Sequence, residues 1–231
     1  MNTTKLVKQL EQLADEEYKA KTLMNYPTNA RRVIGVPKNV IMELSRCNGS
    51  NPDWRKVVDK ELGNDSFEEI LLKMAIMDMA RPDIQEHLER VSKIIPLIDS
   101  PTLCDRICLT MRVAVNKPEV VLCWLKQYYE SGVDMEQRFA LVCLLDHFIN
   151  SDYINNVLDI YSNIKLKGDY SKDAWIWGCG ICFMMFPQKT TEALRKITFD
   201  NKEELLVRLK TYIVNSPRFK EDTRTLLDSV I

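Results

Sequence analysis

The stretch IDSPTLCDRIC, residues 98–108, places a carboxylate, Asp105, between two thiols in a segment that otherwise reads as an apolar helix. Three kinds of chemistry are open to this carboxylate. It can interact with the dipole of a helix that begins near Pro101, or it can join Cys104 and Cys108 at a metal. It can also stabilise a positive charge that develops during a reaction. The segment alone leaves these alternatives open.

A second thiol pair, Cys179 and Cys182, has the C-x-x-C spacing of redox motifs, but such motifs follow a strand and open a helix. The surrounding residues, WIWGCGICFMMF, instead predict a buried helix with small residues at a tight helix crossing. A zinc site is disfavoured because its short-spaced pairs are normally flanked by turns, whereas the cysteine pairs here lie within helical patterns. We therefore expect packing roles for the cysteines, with no metal and no cofactor.

The other candidates are few. The two histidines, His87 and His147, have no obvious partners in the sequence and are predicted to be structural. The common phosphate-binding, serine hydrolase and zinc protease motifs do not occur. What remains is Arg138, at the start of an apolar helix, and the pair Trp175 and Trp177. Arg138 is also compatible with a solvated or ion-paired side chain, and the tryptophans with core packing.

Composition limits the kind of protein that holds these residues. The 231 residues are 45% hydrophobic and 28% charged, which suffices for a core without disulfides or metals. No apolar run approaches the roughly 18 residues of a membrane span, so we expect a cytoplasmic protein that does not enter membranes. Seven cysteines, mostly in apolar segments, suit free thiols in a reducing compartment. The net charge of −1 means that nucleic-acid binding requires a local basic face.

Helical periodicity runs through nearly the whole chain. In YINNVLDIYSNI, residues 153–164, apolar side chains recur at the spacing of one helix face, and no segment alternates as a half-buried strand does. The same stripe appears in KLVKQLEQLADEEYKA, FEEILLKMAIMDMA, EHLERVSKIIPLI, QRFALVCLLDHFI, EELLVRLKTYIV and RTLLDSVI. Prolines predict the helix boundaries, at Pro52, Pro82, Pro101, Pro118, Pro187 and Pro217.

Pairs of these helices recur roughly every 35 to 45 residues, which is the period of HEAT-type repeats. We therefore predict an all-α fold, an α-solenoid of HEAT-like antiparallel helix pairs in a right-handed stack. We expect it to form a single domain over residues 1–231 and to be a monomer. A compact helical bundle stays open as an alternative, because periodicity does not fix how helices stack.

Five segments, in order along the chain, resemble those of the AlkD-like family of DNA alkylation repair proteins, which are HEAT-like helical solenoids. The segments are YPTNARRVIGVPKNVIMELSR (26–46), IPLIDSPTLCD (95–105), MEQRFALVCLLDHFI (135–149), DYSKDAWIWGCGICF (169–183) and NSPRFKEDTRTLLDSV (215–230). The resemblance implies a DNA glycosylase, a hydrolase that removes N3- or N7-alkylated purines from double-stranded DNA.

The resemblance also implies a set of site residues. In the family an aspartate and two tryptophans frame the sugar of the damaged nucleotide and an arginine supports the site; by position these are Asp105, Trp177 and Arg138. Because stacked repeats bring equivalent faces together, we expect Asp105 at a helix start, in one shallow concave site with Arg138 and Trp177. Basic residues near the matched motifs are the predicted DNA phosphate contacts: Arg31, Arg32, Lys38, Arg112, Lys172 and Arg218.

The chain departs from the family pattern at several positions. Pro101 occupies the place of the first tryptophan, and Pro37, Asn39 and Met42 replace an arginine, a proline and a second arginine. Half of the aromatic frame and part of the basic face are therefore absent. The sequence predicts a divergent member with weak or lost glycosylase activity. The alternatives are a non-catalytic HEAT-repeat module that binds DNA or protein on its concave face, or a scaffold that binds no nucleic acid.

Overall fold

The computed structural model describes residues 3–24, 31–59, 65–199 and 202–230. These residues form helices and no strand, so the predicted all-α class is confirmed. They divide into two compact units, Met1–Lys117 (unit 1) and Pro118–Ile231 (unit 2), which are described separately. The stacking of all helix pairs into one solenoid, and a single domain over the whole chain, stay predictions. No helix in the described ranges is long and apolar enough to cross a membrane.

Unit 1 is built around one helix, α5, that packs against α3, α4, α6 and α7. The helices of this unit are α1 (Thr3–Gln12), α2 (Glu16–Leu23), α3 (Lys38–Gly49), α4 (Trp54–Val58), α5 (Phe67–Ala80), α6 (Ile84–Ile94), α7 (Pro101–Thr110) and α8 (Val113–Asn116). Residues 67–78 of α5 are all buried, which is expected of a helix that other helices surround. As predicted, Pro82 lies just before α6 and Pro101 begins α7.

One predicted helix is wrong in its extent. The stretch KLVKQLEQLADEEYKA, residues 5–20, forms two helices rather than one, with a break at 13–15. Asp15 is the N-cap of the second helix: its backbone is extended and its Oδ1 accepts a hydrogen bond from the N–H of Tyr18 at 2.8 Å. The break was not predicted because apolar residues continue at helical spacing on both sides of Asp15.

The segment 31–37, which leads into α3, has no regular structure but is held by a buried carboxylate. Glu68 of α5 accepts hydrogen bonds from the N–H groups of Ile34, Gly35 and Val36 at 2.8, 2.7 and 3.3 Å. Gly35 has a φ of +101°, a conformation that residues with a Cβ rarely adopt. The fold therefore fixes this part of the N-terminal family-like segment; its residues 26–30 lie outside the described ranges.

His87 of α6 is a buried group whose charge state matters for stability. Its side chain is 3% exposed, and its Nε2 has no hydrogen-bond partner among the described residues. Burial lowers the pKa of this imidazole to about 4. The folded protein therefore holds His87 neutral at physiological pH, which agrees with the predicted structural role.

We expect acid to destabilise the protein through His87. The unfolded imidazole binds a proton near pH 6.5, about 2.5 pH units above the folded one, so the unfolded state gains protons first. The stabilisation is complete above about pH 6.5 and is lost as the pH falls towards 4, by about 3 kcal/mol. Urea unfolding between about pH 7 and pH 5 should show this loss in the wild type and a flatter profile in His87→Leu. Parallel profiles for the two proteins would contradict the assignment.

Unit 2 is centred on α12, which packs against α10, α11, α13 and α14. Its helices are α9 (Pro118–Tyr129), α10 (Asp134–Phe148), α11 (Ile154–Asn163), α12 (Asp169–Met185), α13 (Pro187–Arg195), α14 (Lys202–Val214) and α15 (Arg224–Asp228). Three predicted proline boundaries are confirmed, since Pro118 and Pro187 begin helices and Pro217 follows α14. The apolar stripe of residues 153–164 corresponds to α11.

The predicted tight crossing at the glycines of α12 is confirmed. A Cβ at Gly178 would overlap the ring of Tyr161, and a Cβ at Gly180 would overlap the ring of Tyr212. The hydroxyl of the buried Tyr161 donates to the carbonyl oxygen of Leu141 at 3.0 Å, which fixes that ring. The glycines therefore allow two tyrosines to approach the helix closely.

The C-x-x-C pair lies inside the same helix. Cys179 and Cys182 are both buried and free. Burial raises the pKa of Cys179 well above its usual value and that of Cys182 to about 12. Both thiols therefore stay protonated at neutral pH, which agrees with a packing role and disfavours a reactive thiolate.

Candidate active site

Asp105 lies in the second turn of α7. The N-cap of this helix is Ser100, whose Oγ accepts a hydrogen bond from the N–H of Leu103 at 3.2 Å, and Pro101 occupies the first helical position. The expectation that Asp105 lies at the helix start is therefore wrong. The start signal is supplied by Ser100 and Pro101, five and four residues earlier.

Asp105 belongs to the side of α7 that is not fully covered. Leu103, Cys104, Ile107 and Cys108 point into the core and are buried, whereas Asp105 is half-buried. No group of three or more His, Cys, Asp and Glu side chains in the described ranges is arranged to hold a metal ion.

The next residue, Arg106, is held in place by aromatic side chains. Its Nη1 donates to the hydroxyl of Tyr18 at 2.6 Å. Its guanidinium lies 5.6 Å from the centre of the Tyr18 ring and 5.4 Å from that of Phe67, within the range of cation–π attraction. Nothing in the sequence singled out Arg106, because its partners come from α2 and α5.

A cavity of about 130 Å³ lies beside the C-terminal half of α7. Part of its wall is apolar and includes Met42, which occupies a position where the AlkD-like family has an arginine. Three cationic side chains, Lys38, Arg106 and Arg112, also line it. Lys38 forms no ion pair with any described residue. The structure thus brings two of the predicted phosphate contacts, Lys38 and Arg112, to one cavity.

A buried carboxylate orients Arg112. The Nε of Arg112 lies 3.3 Å from Oδ2 of Asp78, and its backbone N–H donates to Oδ1 at 3.1 Å. Burial raises the pKa of the Asp78 carboxyl, and Arg112 opposes that shift. The Arg112 side chain is still 58% exposed, so it can contact an anion outside the cavity. Sequence reasoning missed this pair because Asp78 lies near the end of an apolar helix.

In unit 2, Arg138 is buried in α10 rather than solvated. Its Nη1 donates to the carbonyl oxygen of Tyr170, in the first turn of α12, at 3.3 Å. One turn earlier on α10, the Asp134 carboxylate accepts the N–H groups of Tyr170 and Ser171 at 3.1 and 2.8 Å. Together these contacts fix the start of α12 against α10.

The two tryptophans of α12 have different environments. Trp175 is fully buried, and its Nε1 donates to the carbonyl oxygen of Tyr161 at 2.8 Å, so it is a core residue. Trp177 is half-buried and lines an open groove between α12 and α14. It lies two helical turns, roughly 10 Å, beyond the residue that Arg138 contacts. A shared site of these two residues with Asp105, which belongs to unit 1, stays a prediction.

A family model described as DNA alkylation repair enzyme matches residues 6–168. The chain belongs to this family. No curated protein and no solved structure gave a match. The matched range contains Asp105 and Arg138 and ends before Trp177, whose assignment rests on the resemblance of its local segment.

The remaining predicted DNA contacts of this DNA alkylation repair family member differ in their availability. Arg31 is engaged within unit 1: its Nε and Nη1 donate to Asp99 and to the Asp65 carbonyl at 3.0 and 2.9 Å. Arg32 is exposed and pairs with a glutamate at 2.7 Å. In unit 2, Lys172 lies 3.6 Å from an aspartate one turn away and Arg218 is exposed.

Proposed function

We propose that this DNA alkylation repair family member is a DNA glycosylase that releases N3- or N7-alkylated purines from double-stranded DNA. The observation that carries the proposal is the placement of Asp105. Asp105 is half-buried within the family-matched range, directly before Arg106, which lines a cavity together with Lys38 and Arg112. Catalysis at this residue needs the carboxylate near the sugar of the damaged nucleotide and cations near its phosphates.

Cleavage of the bond between an alkylated purine and its sugar needs only modest stabilisation by the protein. Alkylation at N3 or N7 makes the purine cationic and therefore a good leaving group. When the bond between this base and the sugar breaks, the sugar becomes an oxocarbenium-like cation. The Asp105 carboxylate stabilises this cation by its charge and orients a water molecule, which adds to the sugar and loses a proton to solvent as the base departs. The products are a free alkylated purine and an abasic site.

Other residues bind and position the DNA in this proposal. Lys38 and Arg112 contact phosphates from unit 1, and Lys172 and Arg218 do so from unit 2; the affinity should fall with salt concentration. The half-exposed face of Trp177 adds cation–π stabilisation of the sugar. Arg138 is a positioning residue, because its contact with the start of α12 orients the helix that carries Trp177.

Release of the base itself is the test of this proposal. The protein is incubated with methylated double-stranded DNA, and free 3-methyladenine and 7-methylguanine are measured by chromatography against a protein-free control. We expect release above the spontaneous rate. Salt-sensitive DNA binding with no release of either base would contradict the glycosylase.

A second candidate function is a non-catalytic module that binds DNA. Two departures from the family pattern favour it: this chain has Pro101 where the AlkD-like family has a tryptophan, and Met42 where that family has an arginine. The apolar wall that Met42 helps to form replaces a cationic contact. DNA binding without release of either methylated base would favour this candidate.

We expect Pro101→Trp to accelerate base release if the rest of the frame is intact. Pro101 lies one helical turn before Asp105, on the same side of α7, and is half-buried, so an indole there adjoins the carboxylate. A partly desolvated cation–π contact of about 1–2 kcal/mol corresponds to a rate increase of roughly 5- to 30-fold. Single-turnover release is compared with that of Pro101→Ala, which removes the proline without adding a ring. Equal rates for the two variants would contradict the expectation.

A further inference from the structure

The cavity beside α7 has an apolar part that a contact with a DNA phosphate does not use. Residues of α3, α5 and α7 line this cavity of about 130 Å³. Its apolar wall is formed by Ile41, Met42, Leu71, Ala75 and Leu109. A phosphate gains little from such a wall, because the hydrophobic effect acts between apolar groups. The wall therefore fits a ligand that has an apolar body.

The volume of the cavity limits the size of that apolar body. An engineered cavity of about 150 Å³ in an unrelated protein, lined by aliphatic and aromatic side chains, binds benzene. The cavity beside α7 is slightly smaller. Two of its lining side chains, Lys38 and Leu109, are exposed, so the cavity is accessible from solvent. It therefore holds about one six-membered ring, and the rest of a ligand can extend towards solvent.

The charged part of the wall favours an anion. Among the described residues that line the cavity are three cations, Lys38, Arg106 and Arg112, and one carboxylate, Asp78. This carboxylate lies 3.3 Å from Arg112 and offsets its charge. Lys38 and Arg106 form no ion pair with any described residue. A negatively charged group that binds here is therefore attracted by two cations whose charges are not balanced within the cavity.

Arg106 is already fixed in position for such a group. Its Nη1 donates to the hydroxyl of Tyr18, and the rings of Tyr18 and Phe67 lie within cation–π distance of its guanidinium. A guanidinium has five N–H donors, so this hydrogen bond leaves further donors for a ligand. Because the side chain is held before binding, it loses little rotamer freedom when an anion arrives.

We infer that this cavity binds a small organic carboxylate whose apolar body is about the size of one six-membered ring. The body lies against the apolar wall, and the carboxylate pairs with Lys38 and Arg106. A carboxylate matches the planar donor arrangement of a guanidinium. The proposed function places a DNA phosphate at Lys38, so the bound carboxylate is expected to compete with DNA. This competition rests on the proposed function, whereas the binding of the carboxylate does not.

The test is an NMR titration of the wild-type chain with benzoate at constant ionic strength. We expect saturable binding with a Kd of about 10 µM to 1 mM, a range suited to a ligand of about nine non-hydrogen atoms. Acetate has the charge without the ring, and benzyl alcohol has the ring without the charge. Each should bind at least about tenfold more weakly than benzoate, because each lacks one of the two contributions.

Two variants test the charge and the apolar wall separately. Lys38→Gln removes a cation and should weaken benzoate binding roughly 3- to 30-fold. Leu109→Ser removes apolar surface and should weaken it roughly 3- to 10-fold. Both positions are exposed, so both variants should fold, which circular dichroism will show. The matched controls Lys93→Gln and Val115→Ser change exposed residues of unit 1 outside the described lining of the cavity and should bind benzoate like the wild type.

Failure of this inference differs from failure of the proposed function. No saturable binding of benzoate by the wild type, or equal affinity in the wild type and both cavity variants, would overturn the carboxylate site even if the wild type releases methylated bases. Competition is measured by the fluorescence anisotropy of a labelled duplex in benzoate and in an equal concentration of acetate. Weaker DNA binding in benzoate would support the shared use of Lys38. Benzoate binding without competition would support the carboxylate site and contradict the phosphate contact of Lys38.

Discussion

Glu68→Leu is expected to lower the free energy of unfolding by at least about 3 kcal/mol, since it leaves three buried donors unsatisfied and each costs at least about 1 kcal/mol. The Glu68 side chain is fully buried and accepts the N–H groups of Ile34, Gly35 and Val36. Leucine fills most of the same space but accepts no hydrogen bond. The segment 31–37 therefore loses its attachment to α5.

Equilibrium unfolding in urea measures this effect. Glu43→Leu makes the same change on the exposed face of α3 and should alter the unfolding free energy by less than about 0.5 kcal/mol. Glu68→Gln keeps one acceptor oxygen and should give an intermediate loss. A Glu68→Leu protein as stable as Glu43→Leu would show that the three hydrogen bonds are replaced by water. Because segment 31–37 leads to Lys38, we also expect weaker DNA binding by folded Glu68→Leu.

Much of the helical architecture was predictable from local patterns. The stripes of α6, α11 and α14 follow one helix face, and serine, aspartate and proline mark several helix starts. These signals depend only on neighbours in the chain. The break at 13–15 escaped because apolar residues continue at helical spacing on both sides of Asp15.

The buried charges of α5 were not predictable in the same way. In FEEILLKMAIMDMA, a glutamate and a lysine suggest a solvated side, yet Glu68 and Lys73 are both buried. Glu68 accepts hydrogen bonds from backbone N–H groups 32 to 34 residues earlier in the chain, and Lys73 lies 2.6 Å from the equally buried Asp65. Such partners come from distant segments of the chain that cover α5, so the local sequence of α5 does not predict them.

The candidate site was predictable in part. The resemblance identified Asp105, Arg138 and Trp177, and the structure shows that Trp177 rather than Trp175 has an open face. Spacing alone did not decide this, because residues two apart in a helix point in different directions and either can face the core. The cavity beside α7 is lined by side chains of three helices, and the groove between α12 and α14 by side chains of two. No local sequence motif predicts either of them.

Asp105→Asn is expected to reduce the rate of base release by about 100- to 1000-fold, the range typical for removal of one electrostatic contact to a transition state. Asparagine has nearly the same shape as aspartate, and position 105 is half-buried, so α7 should remain intact. The oxocarbenium-like sugar then faces a neutral amide. DNA affinity should be unchanged or slightly higher, because a negative charge near the phosphates is removed.

The most direct test of the account is single-turnover release of 3-methyladenine and 7-methylguanine from methylated DNA, with protein in excess so that binding and product release do not limit the rate. Wild type is compared with Asp105→Asn and with Asp53→Asn, which removes the same charge from an exposed side chain in unit 1. We predict that release collapses only in Asp105→Asn while all three proteins bind DNA. Equal release by Asp105→Asn and the wild type would contradict the assignment of Asp105.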